Sequence, residues 1–239
     1  MLELSSERKL TDFSNFVKHA TVWGMNGKLS VVATPIGNLE DITLRALRVL
    51  KEAEFVACED TRTTRKLLSH FDIHTPAIAD SKVLGLLAQD KHVALVSDAG
   101  TPGLSDPGGE LVSKARAQGA QIEVIPGPSA LAAALSIAGI KAPSFTFYGF
   151  LPPKKGREKL FKEIAASTRA SVFYESPHRI MKALGSLAAA APERRVGLYR
   201  ELTKIYEEAL IGTPQELLQI LEREPVKQKG EFVVIVESC

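Results

Sequence analysis

The sequence predicts an α/β protein with two α/β domains and a ligand-binding cleft between them. In the first half, short apolar runs alternate with amphipathic segments, which is typical of a parallel sheet covered by helices. In the second half, the last strand patterns lie close together, which favours a mixed sheet. Loops rich in Gly and Pro follow three strands of the first half, where open α/β sheets usually bind ligands.

The order of the predicted strands and helices in the first half supports a parallel sheet. Apolar runs predict strands at residues 29–33, 54–58, 92–96 and 121–125. Helical periodicity predicts helices at residues 42–53, 63–71, 81–89, 110–118 and 129–138. Gly and Pro then interrupt the pattern at residues 139–143, which we take as a candidate domain boundary.

The second half has a different order of elements. Strands are predicted at residues 145–150, 171–174, 196–200, 206–211 and 232–236. Helices are predicted at residues 157–166, 177–189 and 214–222. We therefore predict an N-terminal extension at 1–28, one α/β domain at 29–141 and a second at 142–239.

The extension differs in character from the rest of the chain. It contains Phe13, Phe16 and Trp23 but no clear strand. Met25 is a candidate start of the protein, and we expect the segment before it to be dispensable.

Composition excludes several classes of function. No apolar run reaches the roughly 18 residues of a membrane span, and the first residues lack the apolar core of a secretory signal. Cys58 and Cys239 form neither a disulfide framework nor a zinc pattern, so we expect a cytoplasmic protein without a metal ion. The net charge of +2 is too small to indicate nucleic-acid binding without a local basic cluster.

The most informative stretch is the Gly/Pro-rich loop at residues 97–108. Similar loops at residues 34–39 and 125–130 follow two other strands, so we predict one shared pocket for a small molecule. Asp98 suits hydrogen bonds from a ligand amine or hydroxyl, and it equally suits a turn that satisfies its own backbone. The sequence contains no phosphate loop of the Walker type and no dinucleotide fingerprint.

Polar residues cluster after three strand patterns, at residues 59–65, 174–179 and 200–204. Most such clusters are solvated turns, but these follow strands at the predicted ligand edge. Carboxylates, a His and cations at that edge would serve proton transfer and phosphate contact. Lys154, Lys155 and Arg157 form a basic loop that suits a nucleic-acid backbone, although an exposed hairpin is the simpler interpretation.

Seven motifs occur in the order of a known family. They lie at residues 34–39 (TPIGNL), 59–62 (EDTR), 97–108 (SDAGTPGLSDPG), 126–129 (PGPS), 147–152 (FYGFLP), 175–179 (ESPHR) and 200–204 (RELTK). The sequence resembles the 16S ribosomal RNA cytidine 2′-O-methyltransferase family, type I of the small-subunit methyltransferases, within the tetrapyrrole methylase superfamily. The resemblance covers residues 29–237, and the number of ordered motifs argues against chance.

The resemblance implies S-adenosylmethionine bound between the two α/β domains. It also implies a homodimer and methylation of a cytidine ribose in the decoding region of 16S rRNA within the 30S subunit. By motif match, the cofactor-binding residues are Pro35, Asp98, Ala99, Gly100, Thr101, Ser129, Ala130 and Tyr174. The polar clusters and the basic loop supply the candidate RNA-binding residues, which are Arg62, Lys154, Lys155, Arg157, His178, Arg179 and Arg200.

Catalysis requires a group that orients the ribose hydroxyl and accepts its proton. Glu201 is the first candidate, Glu175 the second and His178 a further one. Lys204 is expected to hold a phosphate or the developing charge. Either glutamate would also suit a structural pair with a neighbouring Arg.

The chain departs from the family pattern in two places. A His/Asn/Glu-rich segment that members usually carry is missing between His74 and Val83, and Tyr206 stands where members usually have His. Besides the RNA methyltransferase, two interpretations stay open: a methyltransferase of the same fold acting on a small macrocycle or a protein side chain, and a non-catalytic assembly factor. The basic loop favours the RNA substrate, and the missing segment keeps the assembly factor open.

Overall fold

The structure is a computed structural model that describes residues 26–140 and 144–238. The predicted extension lies outside the described residues up to residue 25, and so does the 141–143 part of the predicted boundary. The described strands form two separate five-stranded sheets. The exact limits of the two predicted domains stay a prediction.

The first sheet is parallel. Its strands are β1 (Lys28–Val32), β2 (Phe55–Cys58), β3 (Ala77–Ala79), β4 (His92–Leu95) and β5 (Gln121–Ile125). They are ordered β3-β2-β4-β1-β5, and every neighbouring pair is parallel. The helices of this half are α1 (Leu44–Glu52), α2 (Thr61–His70), α3 (Val83–Leu87), α4 (Gly108–Ala117) and α5 (Ala130–Ile137).

Both faces of this sheet are covered by helices. Val32 and Val56 pack in one buried cluster with residues of α1 and α2. Leu29 and Val93 pack in another with residues of α3 and α4. Burial on both faces explains why the inner strands β2 and β4 are mainly apolar, whereas the edge strand β5 alternates polar and apolar residues.

The second sheet is mixed. Its strands are β6 (Phe145–Phe150), β7 (Ala170–Glu175), β8 (Val196–Arg200), β9 (Glu208–Gly212) and β10 (Phe232–Val236). The order is β6-β7-β10-β8-β9, with β6 parallel to β7 and the other pairs antiparallel. The helices are α6 (Arg157–Ala166), α7 (Ile180–Ala190) and α8 (Pro214–Arg223), the last starting with a capping box between Thr213 and Glu216.

Helix α5 of the first half packs against the second sheet. Val233 and Ile235 of β10 share a buried cluster with Ala134 and Ala138 at α5. The alternate residues of β10, such as Val234, face the cluster that contains α6, α7 and α8. This apolar contact holds the two sheets against each other and fixes the cleft described below.

The predicted α/β class is confirmed, with a parallel sheet followed by a mixed one. Most predicted elements lie within a few residues of the observed ones, and α6 has the predicted bounds. Strand β3 is the exception, because its three residues form a short, incompletely buried edge strand with little periodicity. Within residues 26–140 and 144–238, no helix is long and apolar enough to cross a membrane.

Candidate active site

Three loops leave neighbouring strands and meet at one edge of the first sheet. Strands β4, β1 and β5 lie side by side, so their carboxyl ends share that edge. The backbone N–H of Thr34 donates to the carbonyl of Gly100 at 2.9 Å, and the N–H of Gly100 donates back at 3.0 Å. The Thr101 hydroxyl donates to the carbonyl of Pro128 at 3.1 Å. These bonds bring together the Gly/Pro loops for which the sequence predicts a shared pocket.

A solvent-open cleft lies between these loops and the second sheet. The predicted site residues that line it are Asp98, Ala99, Gly100, Thr101, Ser129, Ala130, Tyr174, Glu175, Glu201 and Lys204. Pro35 is not among the lining residues, although its neighbour Ile36 is. None of the predicted RNA-binding residues lines the cleft.

The loop side of the cleft has groups that fit a small charged ligand. Asp98 is exposed, and its carboxylate has no hydrogen bond or ion pair with any other described residue. The Ser129 hydroxyl is buried and makes no hydrogen bond of ordinary length among residues 26–140 and 144–238, but it lies close to the Tyr174 phenol. Ser129 precedes α5, and the backbone N–H of Leu131 in the first turn of that helix is directed at the same phenol. The N-terminus of a helix favours an anion, so the set suits a ligand with an amine or hydroxyl at one end and a carboxylate at the other.

Glycine keeps the wall of the cleft open. Gly100 has a φ of 82° and Gly103 a φ of 80°, a region that other residues rarely adopt. A Cβ atom at Gly100 would lie 3.3 Å from Cγ2 of Ile36, a lining residue. The 97–108 loop thus needs glycine both for its conformation and for its close approach to the 34–39 loop.

The second sheet contributes an aromatic wall. Tyr174, at the end of β7, lies edge-to-face with Phe147 at 5.1 Å and with Phe150 at 5.3 Å between ring centroids. Burial is the main cause that raises the pKa of Tyr174. Its phenol therefore stays neutral at physiological pH and can donate a hydrogen bond.

Glu201 and Lys204 form a polar cluster with Glu231, the residue before β10. The Lys204 Nζ atom donates to Oε1 of Glu201 at 2.9 Å and to Oε2 of Glu231 at 3.0 Å. The backbone N–H of Glu231 donates to the same Oε1 of Glu201 at 3.0 Å. Within the described ranges, Oε2 of Glu201 accepts no hydrogen bond, so it is available to a ligand.

Two glycines make room for this cluster. A Cβ atom at Gly230 would lie 2.5 Å from Cγ of Glu201, and one at Gly37 would lie 2.4 Å from Cγ of Lys204. Glu201 itself adopts a φ of 50° and Thr203 a φ of 66°. Residues other than glycine rarely hold such angles, and they concentrate at functional sites.

Burial and hydrogen bonding compete at this cluster. Burial opposes ionisation of Glu201, but the hydrogen bonds from Lys204 and from the backbone of Glu231 outweigh it and lower the pKa of Glu201. Burial also disfavours the Lys204 cation, and the two carboxylates reverse that effect and raise the pKa of Lys204. Both groups are therefore charged at neutral pH.

Glu175 lines the cleft, but its carboxylate is fully engaged. Its Oε2 atom accepts from Arg157 at 2.6 Å, and its Oε1 atom accepts from the backbone N–H of Ser176 at 2.9 Å. Oε1 also forms an ion pair with Nε of Arg179 at 2.9 Å, and that Nε–H donates to the Ser176 hydroxyl. The Glu175 side chain is 0% exposed. Both oxygens of Glu175 are occupied by these partners, so the carboxylate has little capacity left for a ligand, and its role as a base stays a prediction.

Two predicted RNA-binding residues are largely buried in ion pairs. Arg157 is 3% exposed, and besides Glu175 it binds the carbonyl of Pro152. Arg200 is 8% exposed and donates to Oε2 of Glu208 at 3.1 Å. Both guanidinium groups have these structural partners, and their contact with RNA stays a prediction. Sequence alone does not reveal this, because the acidic partners lie elsewhere in the sequence.

The remaining predicted cations lie nearer the surface. Lys154, Lys155 and His178 are exposed, and Arg179 is partly exposed while it also binds the carbonyl of Leu151 at 3.1 Å. Arg62 is exposed and forms a bidentate pair with Asp60, the residue that caps α2. These residues stay candidates for contact with a polyanion.

Several lining residues were not named individually from the sequence. They are Ile36, Ser97, Leu104, Ser105, Asp106, Phe150, Tyr199, Leu202, Glu231, Phe232 and Val233. Most of them, including Phe150, lie inside the family motifs, which were therefore a usable signal. Glu231 had no local signal, because it enters the site only through the pairing of β10 between β7 and β8.

Comparison with known proteins agrees with the geometry. A family model of the tetrapyrrole (corrin/porphyrin) methylases matches residues 28–218. The fold, the cleft between the sheets and this match together define a methyltransferase of the tetrapyrrole methylase class.

Proteins of similar sequence indicate which family within this class the chain belongs to. The ribosomal RNA small subunit methyltransferase I of Coprothermobacter proteolyticus is 46% identical over 216 residues, which are 86% of this chain and 95% of the relative. The protein of the same name from Thermotoga maritima is 41% identical over 221 residues, which are 89% and 99% of the two chains. The chain belongs to the ribosomal RNA small subunit methyltransferase I family.

Solved structures share the fold at low identity. A uroporphyrin-III C-methyltransferase from Thermus thermophilus superposes with a TM-score of 0.63 at 21% identity, covering 88% of this chain and 94% of that one. The methyltransferase CobJ gives a TM-score of 0.66 at 18% identity, with 90% and 95% coverage. At these identities the likeness establishes the fold alone.

Proposed function

We propose that this protein transfers a methyl group from S-adenosylmethionine to the 2′-hydroxyl of a cytidine ribose in 16S rRNA, acting on the 30S subunit. One observation carries the proposal. Asp98 and the buried hydroxyl of Ser129 lie on one side of a single cleft, and Glu201 lies on the other. One carboxylate oxygen of Glu201 accepts no hydrogen bond from the described residues. Relatives named as ribosomal RNA methyltransferases, 46% and 41% identical over 86% and 89% of this chain, support the substrate class.

The loop side of the cleft would hold the cofactor. Asp98 suits the ammonium or a hydroxyl of S-adenosylmethionine, and Ser129 with the N-terminus of α5 suits its carboxylate. When bound, the cofactor supplies an electrophilic methyl group on a sulfonium. The bare backbone of Gly100 lets the ligand approach the loop closely.

Glu201 would orient the nucleophile. Its Oε1 atom is fixed by Lys204 and the backbone of Glu231, which leaves Oε2 to accept a hydrogen bond from the ribose hydroxyl. A fixed acceptor holds the hydroxyl oxygen in line, and orientation alone removes much of a barrier. The hydroxyl proton becomes strongly acidic as its oxygen gains a new bond, so a carboxylate of lowered pKa can still accept it.

The exposed cations would bind the RNA backbone. Lys154 and Lys155 lie in the loop between β6 and α6, directly after the strand whose last residue, Phe150, lines the cleft. Charge at the mouth of the cleft would hold phosphates next to the reacting ribose. A homodimer belongs to the proposal on the family resemblance alone.

Methyl transfer to isolated 30S subunits tests the proposal. Labelled S-adenosylmethionine should give one labelled nucleotide in 16S rRNA, and the bond on its 3′ side should resist alkali, because alkaline cleavage needs a free 2′-hydroxyl. Label on a ribosomal protein or on a base would contradict the 2′-O assignment. Cofactor binding without transfer to 30S subunits would favour the assembly factor.

A further inference from the structure

The end of β6 is irregular at the cleft. Phe147 pairs with Val172, but the next pair joins Phe150 to Tyr174, so β6 carries one extra residue between the two pairs. Gly149 has a φ of 62° within this bulge. A Cβ atom at Gly149 would lie 2.5 Å from the hydroxyl oxygen of Ser105, a lining residue, so only glycine fits here.

The bulge changes the face on which Phe150 lies. Residues three apart in a regular strand point to opposite faces. Yet the rings of Phe147 and Phe150 both contact Tyr174, at 5.1 Å and 5.3 Å. The extra residue therefore turns Phe150 onto the side of Tyr174 and into the cleft, and bulges often serve to re-aim a side chain beside an active site.

Phe150 is the most exposed aromatic side chain in the cleft. Tyr199 is 1% exposed and Phe232 is 2% exposed, and Tyr174 is half-buried. Phe150 is 57% exposed although it is large and apolar. Its exposed ring at the cleft is therefore open to contact with a ligand.

We propose that Phe150 is the stacking platform for the base of the nucleotide that is methylated. The inference rests on the proposed function. A ribose whose hydroxyl must reach the interior of a protein cleft has to leave its helical stack, and the unstacked base then needs a new apolar partner. Phe150 offers a ring at the end of β6, and the loop that follows it carries Lys154 and Lys155 for the flanking phosphates.

Substitutions at Phe150 separate stacking from packing. Phe150→Ala should lower kcat/KM for 30S subunits by about 5- to 100-fold, because base–aromatic stacking contributes energy of that order. Phe150→Trp should keep the activity, whereas Phe150→Leu, which keeps apolar volume without a ring, should resemble the Ala variant. The matched control is Phe145→Ala, an exposed Phe at the other end of β6 that does not line the cleft.

The readouts are the single-turnover rate, the affinity for 30S subunits in filter binding, and the affinity for S-adenosylmethionine in calorimetry. The inference predicts a loss of 30S affinity and rate with unchanged cofactor affinity. Activity of Phe150→Ala or Phe150→Leu within twofold of the wild type would overturn it. A loss of cofactor affinity as large as the loss of 30S affinity, or a change of oligomeric state on gel filtration, would also overturn it. If the wild-type protein transfers no methyl group to 30S subunits, the proposed function itself fails, which the same assay shows separately.

Discussion

Replacing Glu175 by Gln tests the structural role that the fold gives this residue. The substitution removes the charge that compensates Arg157 and Arg179, whose side chains are 4% and 27% exposed. Loss of one partner of a buried ion pair costs about 3–5 kcal/mol, because the remaining charge stays desolvated. For a chain of this size, each kcal/mol lowers Tm by roughly 2–4 °C, so we expect a fall of about 6–20 °C.

The assay is thermal unfolding followed by circular dichroism, with urea titration as a second measure. The matched control is Glu52→Gln, which breaks the pair between Arg48 and Glu52, whose side chains are 59% and 52% exposed. An exposed helical pair contributes only about 0.3–0.5 kcal/mol, so the control should barely change Tm. Arg157→Met added to Glu175→Gln should recover part of the loss, since it removes the uncompensated buried cation.

Equal Tm values for Glu175→Gln and Glu52→Gln would contradict the structural role of Glu175. That result would mean that solvent reaches the Glu175 cluster and that its carboxylate is available for chemistry. It would favour Glu175 as the base.

Three further predictions concern the cleft and its surroundings. Asp98→Ala should weaken S-adenosylmethionine binding by about 10- to 100-fold in calorimetry, because a charge-assisted hydrogen bond is lost. The control Asp72→Asn, at an exposed turn outside the cleft, should leave the affinity unchanged, and equal affinities of the two variants would remove Asp98 from the cofactor site. Glu201→Gln should lower the single-turnover rate by about 10²- to 10⁴-fold without changing cofactor or 30S affinity. The lowered pKa of Glu201 keeps its carboxylate ionised from about pH 6 to 9, so titration of Glu201 should cause no change of the wild-type rate in that range. The stability that the Glu201 ion pair contributes should be lost only as the pH falls through that lowered pKa. Substituting both Lys154 and Lys155 by Ala should reduce the salt dependence of 30S binding by a slope of about 2, and an unchanged slope would place the RNA elsewhere.

The sequence was sufficient to predict the ligand edge. The Gly/Pro loops follow β1, β4 and β5, and the parallel order places those three strands next to one another. Local chemistry at a strand end, such as Asp98 in its loop, was therefore enough to identify much of the cleft. The short edge strand β3 lacked the periodicity that would have revealed it.

Local sequence patterns did not predict which charged side chains are buried. A structural pair of Glu175 with a neighbouring Arg was one interpretation of the sequence, but only the fold shows that Arg157 and Arg179 both pair with Glu175. Glu231 likewise joins Glu201 and Lys204 only because β10 inserts between β7 and β8. Such contacts depend on long-range pairing, about which local sequence patterns carry no information.

The most direct test of the central claim is single-turnover methyl transfer from labelled S-adenosylmethionine to 30S subunits, followed by mapping of the label in 16S rRNA. We expect one labelled cytidine whose ribose is methylated at the 2′ oxygen, and a rate that falls with Glu201→Gln. Label in a ribosomal protein or on a base, the absence of label from 16S rRNA, or an unchanged rate for Glu201→Gln would contradict the proposed function.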